Sequence, residues 1–172
     1  MRSLLSKRGR YQKRLKRIIK RYSKENNLPF EIIASIIWQE SKGHQFAARY
    51  EPGFFAHYIE GRGKAIDGYW PPSDRATLPT EQRLRAFSFS VMQVMGQTAR
   101  EMGFDADDLM ELSDLNNNVR IGCKYLAWCI RQNDNDLWKG IARYNGTGER
   151  ARKYAEKIKS IHERRAWEAM FE

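Results

Sequence analysis

The side chain best placed to do chemistry in this chain of 172 residues is Glu40. It lies near the end of PFEIIASIIWQESKG, Pro29 to Gly43, whose pattern predicts a short helix. Pro29 suits the first helical position, where its missing N–H costs nothing. Glu31 suits the positive end of the helix dipole, and Gly43 suits the left-handed residue that ends a helix. Ile33, Ile36 and Ile37 fall at helical spacing, and Glu40 continues the series. A carboxylate is thereby placed on the core-facing side, in the last turn, where the dipole disfavours negative charge. Both effects raise a carboxyl pKa, and an acid still protonated near neutrality is what general acid catalysis requires. The same spacing also fits an exposed Glu at a frayed helix end.

The elements that must position Glu40 are mostly helical. Residues 2–24 hold many Lys and Arg and no acid, and Leu15, Ile18, Ile19 and Tyr22 recur at helical spacing. This reads as an amphipathic first helix with a solvated basic face that helps attract anions, preceded by a loose tail over 1–13; the other reading is an electrostatic patch or membrane-surface helix. Asn26 and Asn27 end it. From Gly43 to about Thr80 the chain is irregular and rich in Pro, Gly, Phe, Tyr and Trp. A loop of this length within a compact domain is usually functional or disordered, and its aromatic load argues against disorder. Rings beside acids and amides suit a carbohydrate cleft; they also suit packing the loop onto its domain. One or two helical turns over 80–86, a β-like stretch over 87–90 and a helix from Gln93 to Met102 ended by Gly103 follow. A short helix over 105–112, a helix capped by Ser113 or Asp114, one capped by Asp136 and a last helix from Glu149 to about Met170, with Tyr154, Ile158, Ile161 and Trp167 as its inner face, complete the chain. Short connections between helices predict a compact, mainly α fold in a single domain, 14–172.

Composition sets outer bounds. Hydrophobic content of 41% with 30% charged residues is ordinary for a globular chain, and no apolar run approaches bilayer length. Cys123 and Cys129 lie six positions apart on one predicted helix, on different faces, and read as two buried thiols in a reducing compartment. His44, His57 and His162 show no metal-ligand spacing, so no metal and no cofactor is expected. The net charge of +10 points to an anionic partner.

Four separated segments resemble one family. IIASIIWQES resembles a helix ending in Glu-Ser, SVMQVM a Gly-Leu-Met-Gln-Ile-Met segment, NVRIGCKYL an Asn-(Ile/Val)-x-x-Gly-x-x-Tyr-Leu pattern and IARYNGTG an Ala-x-Tyr-Asn-Gly segment. They occur in the order found in soluble lytic transglycosylase domains, lysozyme-like helical enzymes that cleave bacterial peptidoglycan. The resemblance implies that Glu40 is the sole catalytic acid/base and that Tyr144 bonds to it and holds its rotamer. It implies that Ser41 bonds near Glu40 or near the substrate, that Ser90, Met92, Gln93 and Asn145 meet the substrate, Met92 and Gln93 lining the cleft, and that Asn118 and Gly122 are structural. It further implies cleavage of the MurNAc-GlcNAc bond, with 1,6-anhydro ends as product.

The chain departs from the pattern at Ser90, where Gly is usual, at Gly96, where Pro is common, and in its longer Glu40-to-Gln93 spacing, which makes 44–80 an aromatic-rich insertion. RYEPGFF within it resembles segments of phage-associated wall enzymes. A second carboxylate there, Glu51 first, would permit hydrolysis as in goose-type lysozymes; the alternative for Glu51 is a salt bridge to Arg49, Arg62 or another cation. The reading from another class is a non-catalytic basic module that binds wall, membrane or nucleic acid. The expected partner is peptidoglycan, with no specific nucleic acid, electrostatic association through the basic N-terminus and a monomeric state. With no signal peptide visible, synthesis in the cytoplasm and action on the wall through phage lysis or virion delivery are expected.

Overall fold

The computed structural model describes residues 2–72 and 74–172, with side chains from Lys7 onward. Met1 of the expected tail and Ser73 of the insertion lie outside the described residues. In chain order the elements are α1 (Arg2–Asn26), α2 (Phe30–Ser41), β1 (Ala48–Tyr50) and a helical turn α3 (Pro52–Phe54) that widens into a π turn (Phe55–Ile59). Next come α4 (Leu78–Arg85), β2 (Phe87–Phe89), β3 (Val94–Met95), α5 (Gly96–Glu101) and a 3-10 turn (Leu109–Ser113). Then follow α6 (Leu115–Arg131), α7 (Leu137–Asn145), α8 (Gly148–Glu163) and a final 3-10 turn (Ala166–Met170). The mainly α fold is as expected. The chain divides into two compact units, Met1–Gly43 with Cys123–Glu172, and His44–Gly122.

The first unit is helical. The periodic residues of α1, Leu15, Ile18, Ile19 and Tyr22, are all buried, as are Ile32, Ile33, Ile36 and Ile37 of α2 and Ile158 and Ile161 of α8. α2 packs on α1, α8 and the final 3-10 turn, and α7 packs on α8. α1 begins at Arg2. Its Lys, Arg, Gln and Leu residues are good helix formers, and the Tyr11 hydroxyl donates to the Gly43 carbonyl at 2.5 Å. Burial pushes the Tyr11 pKa up to about 12. The last helix is also shorter than expected. α8 stops at Glu163, Arg165 takes φ 53°, and Trp167 and Met170 are buried from the 3-10 turn that follows.

The second unit holds an antiparallel sheet in the order β1-β2-β3, with Ala48 opposite Phe89, Tyr50 opposite Phe87 and Phe89 opposite Val94. A helix from Gln93 is therefore corrected. Gln93 has φ 46° and Val94–Met95 pair with β2, so the helix begins only at Gly96. The turn between β2 and β3 is locked from α6. The Met92 amide donates to Asn118 Oδ1 at 2.9 Å, and Asn118 Nδ2 donates to the Phe89 carbonyl at 2.8 Å. One helical turn later comes Gly122, where a Cβ would lie 2.5 Å from the Met92 sulfur. The Asn-x-x-x-Gly spacing is thus a socket for Met92.

A second joint was not visible in the sequence. Glu81 of α4 lies buried between two buried guanidinium groups. Its Oε1 accepts from Arg85 Nε at 3.1 Å and Arg100 Nε at 2.8 Å, and its Oε2 accepts from Arg100 Nη2 at 3.1 Å. Arg85 also donates to the carbonyls of Asp67 at 2.7 Å and Tyr69 at 2.5 Å, and its guanidinium lies 4.0 Å from the Trp70 ring centroid. Arg100 Nη1 donates to the carbonyls of Phe104 and Ala106, both at 2.7 Å. Burial pulls the Arg85 pKa below its usual value, and Glu81 opposes that shift. The irregular insertion is therefore anchored by backbone-to-arginine bonds in place of regular ladders.

Candidate active site

Glu40 occupies the last turn of α2 and is partly buried. The helix starts after Pro29, which stands one position before the expected one, and ends with Lys42 at φ 55° and Gly43 at φ 81°. Ser41 secures this end. Its Oγ donates to the Ile37 carbonyl at 3.3 Å and accepts from the Gly43 amide at 3.1 Å. These bonds fix the backbone that carries Glu40.

The Tyr154 hydroxyl on α8 donates to Glu40 Oε1 at 2.5 Å. Sequence reasoning placed Tyr154 only on the inner face of the last helix. The available signal was a phenol on a face otherwise made of Ala151, Ala155 and Ile158, because a buried hydroxyl needs a partner. Burial, and next the charge of Glu40, hold the Tyr154 pKa well above its ordinary value. Burial and then Glu40 do the same for Tyr144 at the end of α7, so Tyr144 lies within electrostatic reach of Glu40. Its ring packs on Tyr125, with centroids 5.2 Å apart, and Tyr125 stacks on Trp128 at 5.9 Å. The structure therefore brings Glu40, Tyr144 and Tyr154 together within the first unit. Asn145, next to Tyr144, is exposed.

The Met-Gln segment is tied into the fold. Met92 is fully buried against Gly122, so its side chain lines no surface. Gln93 Nε2 donates to the carbonyls of Ala47 at 3.1 Å and Ser90 at 2.8 Å, and its Oε1 accepts from Ser88 Oγ at 2.9 Å. Both amide hydrogens are committed to the scaffold, which leaves only a lone pair for any ligand. Ser90 takes φ 58°, the left-handed conformation that favours the Gly it replaces. Its hydroxyl is buried with no hydrogen-bond partner among the described residues.

Glu51, the candidate second carboxylate, is bound by Arg49 Nε at 2.5 Å, which is the salt-bridge alternative. Most rings of the insertion pack it down: Tyr50 lies 5.1 Å from Phe87, and Arg83 lies 4.2 Å from the Phe55 centroid. Phe46 and Tyr58 stay exposed. Tyr58, tilted against Phe54 at 4.9 Å, helps line a cavity of about 340 Å³ with Arg62, Asp67 and Glu101. Among the described residues no group of three or more His, Cys, Asp or Glu is placed to hold a metal ion. Cys123 and Cys129 are buried, free thiols.

Comparison with models of known families matches residues 17–166 to the Transglycosylase SLT domain. The chain belongs to the transglycosylase SLT family. That family has the lysozyme-like fold and cleaves peptidoglycan, so the chain is a peptidoglycan-cleaving enzyme of the lytic transglycosylase type. Neither a search of curated proteins nor one of solved structures returned a match.

Proposed function

We propose that this SLT domain breaks the MurNAc-GlcNAc β-1,4 bond with Glu40 as its single acid/base and leaves 1,6-anhydro-MurNAc ends. The observation that carries this reading is the Tyr154 hydroxyl on Glu40 Oε1 at 2.5 Å, in a chain whose family cleaves this polymer. In the first step the Glu40 proton passes to the glycosidic oxygen and the bond from that oxygen to the muramyl C1 breaks. The 2-acetamido oxygen of the same sugar closes on C1. In the second step the Glu40 carboxylate takes the proton of the 6-hydroxyl, O6 displaces the acetamido oxygen at C1, and the acid is regenerated with no water consumed.

Tyr154 and Tyr144 hold the carboxyl group and stabilise the charge that it gains in the first step. Asn145, exposed at the end of α7, is the sugar contact on this side. Pairing of Glu51 with Arg49 favours this route over hydrolysis through Glu51.

Digestion of purified peptidoglycan, followed by mass spectrometry of the soluble sugars, tests the proposal. Muramyl ends lighter by one water are expected, and Glu40→Gln is expected to abolish release while the protein stays folded. Ordinary reducing ends would replace the transglycosylase route with hydrolysis. Full activity of Glu40→Gln would remove Glu40 from the mechanism.

A further inference from the structure

The charge of this chain is strongly segregated. The first unit carries 23 of the 31 Lys and Arg and 10 of the 21 Asp and Glu, a balance of +13, and the second unit has a balance of −3. Much of the excess lies on α1, where ten Lys and Arg between Lys7 and Lys24 are exposed and no acid precedes Glu25. At about 100° per residue, all but Arg8 fall on one half of the helix circumference. The opposite half carries the buried Leu15, Ile18, Ile19 and Tyr22. The cationic half is a convex strip about 26 Å long from Lys7 to Lys24.

We infer that this strip is a docking surface for an anionic phospholipid bilayer. The exposed positions of the strip are all cationic, with none of the amide or aromatic side chains that read bases or sugar faces. A convex array of point charges without such readers matches a plane of anionic headgroups better than a groove or a single strand. The apolar half is consumed by the core, and among the described residues no helix is long and apolar enough to cross a membrane. Attachment is therefore peripheral and electrostatic, and the long Lys and Arg stems let their charged ends reach the headgroups. It is independent of the chemistry at Glu40 and would hold a wall-cleaving domain beside the membrane.

The test is co-sedimentation of the full chain with vesicles of phosphatidylglycerol and phosphatidylcholine, and with phosphatidylcholine alone, across a salt series. Binding is expected only with phosphatidylglycerol and is expected to weaken as salt rises. The variant Arg10→Gln/Lys13→Gln/Arg17→Gln/Lys24→Gln keeps good helix formers and removes four cations from the strip. At about five-fold per cation near the surface, binding should fall by at least about a hundred-fold while release of sugars from soluble glycan is unchanged. Glu40→Gln should bind vesicles as the wild type does, which separates this inference from the catalytic one. Equal binding by the quadruple variant, or binding to phosphatidylcholine alone, would overturn it. So would tighter binding to duplex DNA or to an anionic wall polymer than to the vesicles at the same salt.

Discussion

Removal of one oxygen atom from α8 examines the candidate site directly. In Tyr154→Phe the ring stays and the hydroxyl that donates to Glu40 Oε1 is lost. Because burial and Glu40 hold the Tyr154 pKa well above its ordinary value, the phenol is a donor across any working pH. A hydrogen bond to a charged group contributes about 1.5–3 kcal/mol, against about 0.5–1.5 for a neutral pair. The hydroxyl therefore favours the carboxylate formed in the transition state over the acid in the ground state by about 1–1.5 kcal/mol. Loss of that difference slows the chemical step by about five- to thirteen-fold. The effect belongs in kcat, with KM little changed. The charged form loses a donor, so the proton is retained to higher pH and the pH–rate profile shifts toward alkaline values. The assay is steady-state release of sugars from soluble glycan strands between pH 4 and 9, with circular dichroism to confirm the fold. An unchanged rate and profile would refute the positioning role. A loss as deep as that of Glu40→Gln would equally refute it, because Tyr154 would then be moving a proton itself.

Three further outcomes are expected. Glu81→Gln leaves two buried guanidinium groups without their counter-charge, a cost of about 3–5 kcal/mol, and should lower Tm by about 6–20 °C; a shift under about 2 °C would mean that the triad is solvated in solution. Ser90→Gly relieves a left-handed Ser and removes a buried hydroxyl that has no partner among the described residues, so a gain of about 1–2 kcal/mol is expected after the glycine entropy cost. A lower Tm for Ser90→Gly would contradict it. Burial pushes the Cys129 thiol up to about 11 and the Tyr144 and Tyr154 hydroxyls well above their ordinary values. The folded chain thus keeps protons that the unfolded chain gives up above about pH 9. Stability is therefore full below that pH and is lost as pH rises through about 11 for Cys129; a urea midpoint at pH 10.5 equal to that at pH 8 would contradict this.

What could be read from the sequence was whatever repeats at short range. The inner faces of α1, α2 and α8, the Asp136 cap and the position of Glu40 follow from helical spacing and local side-chain bonds. The Asp136 carboxylate does accept from the amides of Trp138 and Lys139, both at 3.0 Å. Long-range pairing was beyond reach. Val94 and Met95 make a strand too short to show a period, so the segment from Gln93 looked helical. The burial of Arg85 and Arg100 was not legible because nothing local marks Glu81, 4 residues from one and 19 from the other, as their shared partner. Tyr154 was visible as a core residue, but the burial pattern of α8 does not say that its hydroxyl meets Glu40, 114 positions away. The motif residues Met92, Gln93 and Asn118 were legible as a set. Only their bonds reveal that they hold each other and the sheet.

The Arg85 clamp acts as a ruler on chain length. Arg85 holds the carbonyls of Asp67 and Tyr69, two residues apart, from a single guanidinium. One residue inserted between Asp67 and Tyr69 would move a carbonyl by about 3.5 Å and take it out of reach of a guanidinium that cannot follow. Related chains that keep Arg85 and Glu81 should therefore keep the spacing from Asp67 to Tyr69. A graft of new recognition residues into this loop will hold its shape if it respects the same mark.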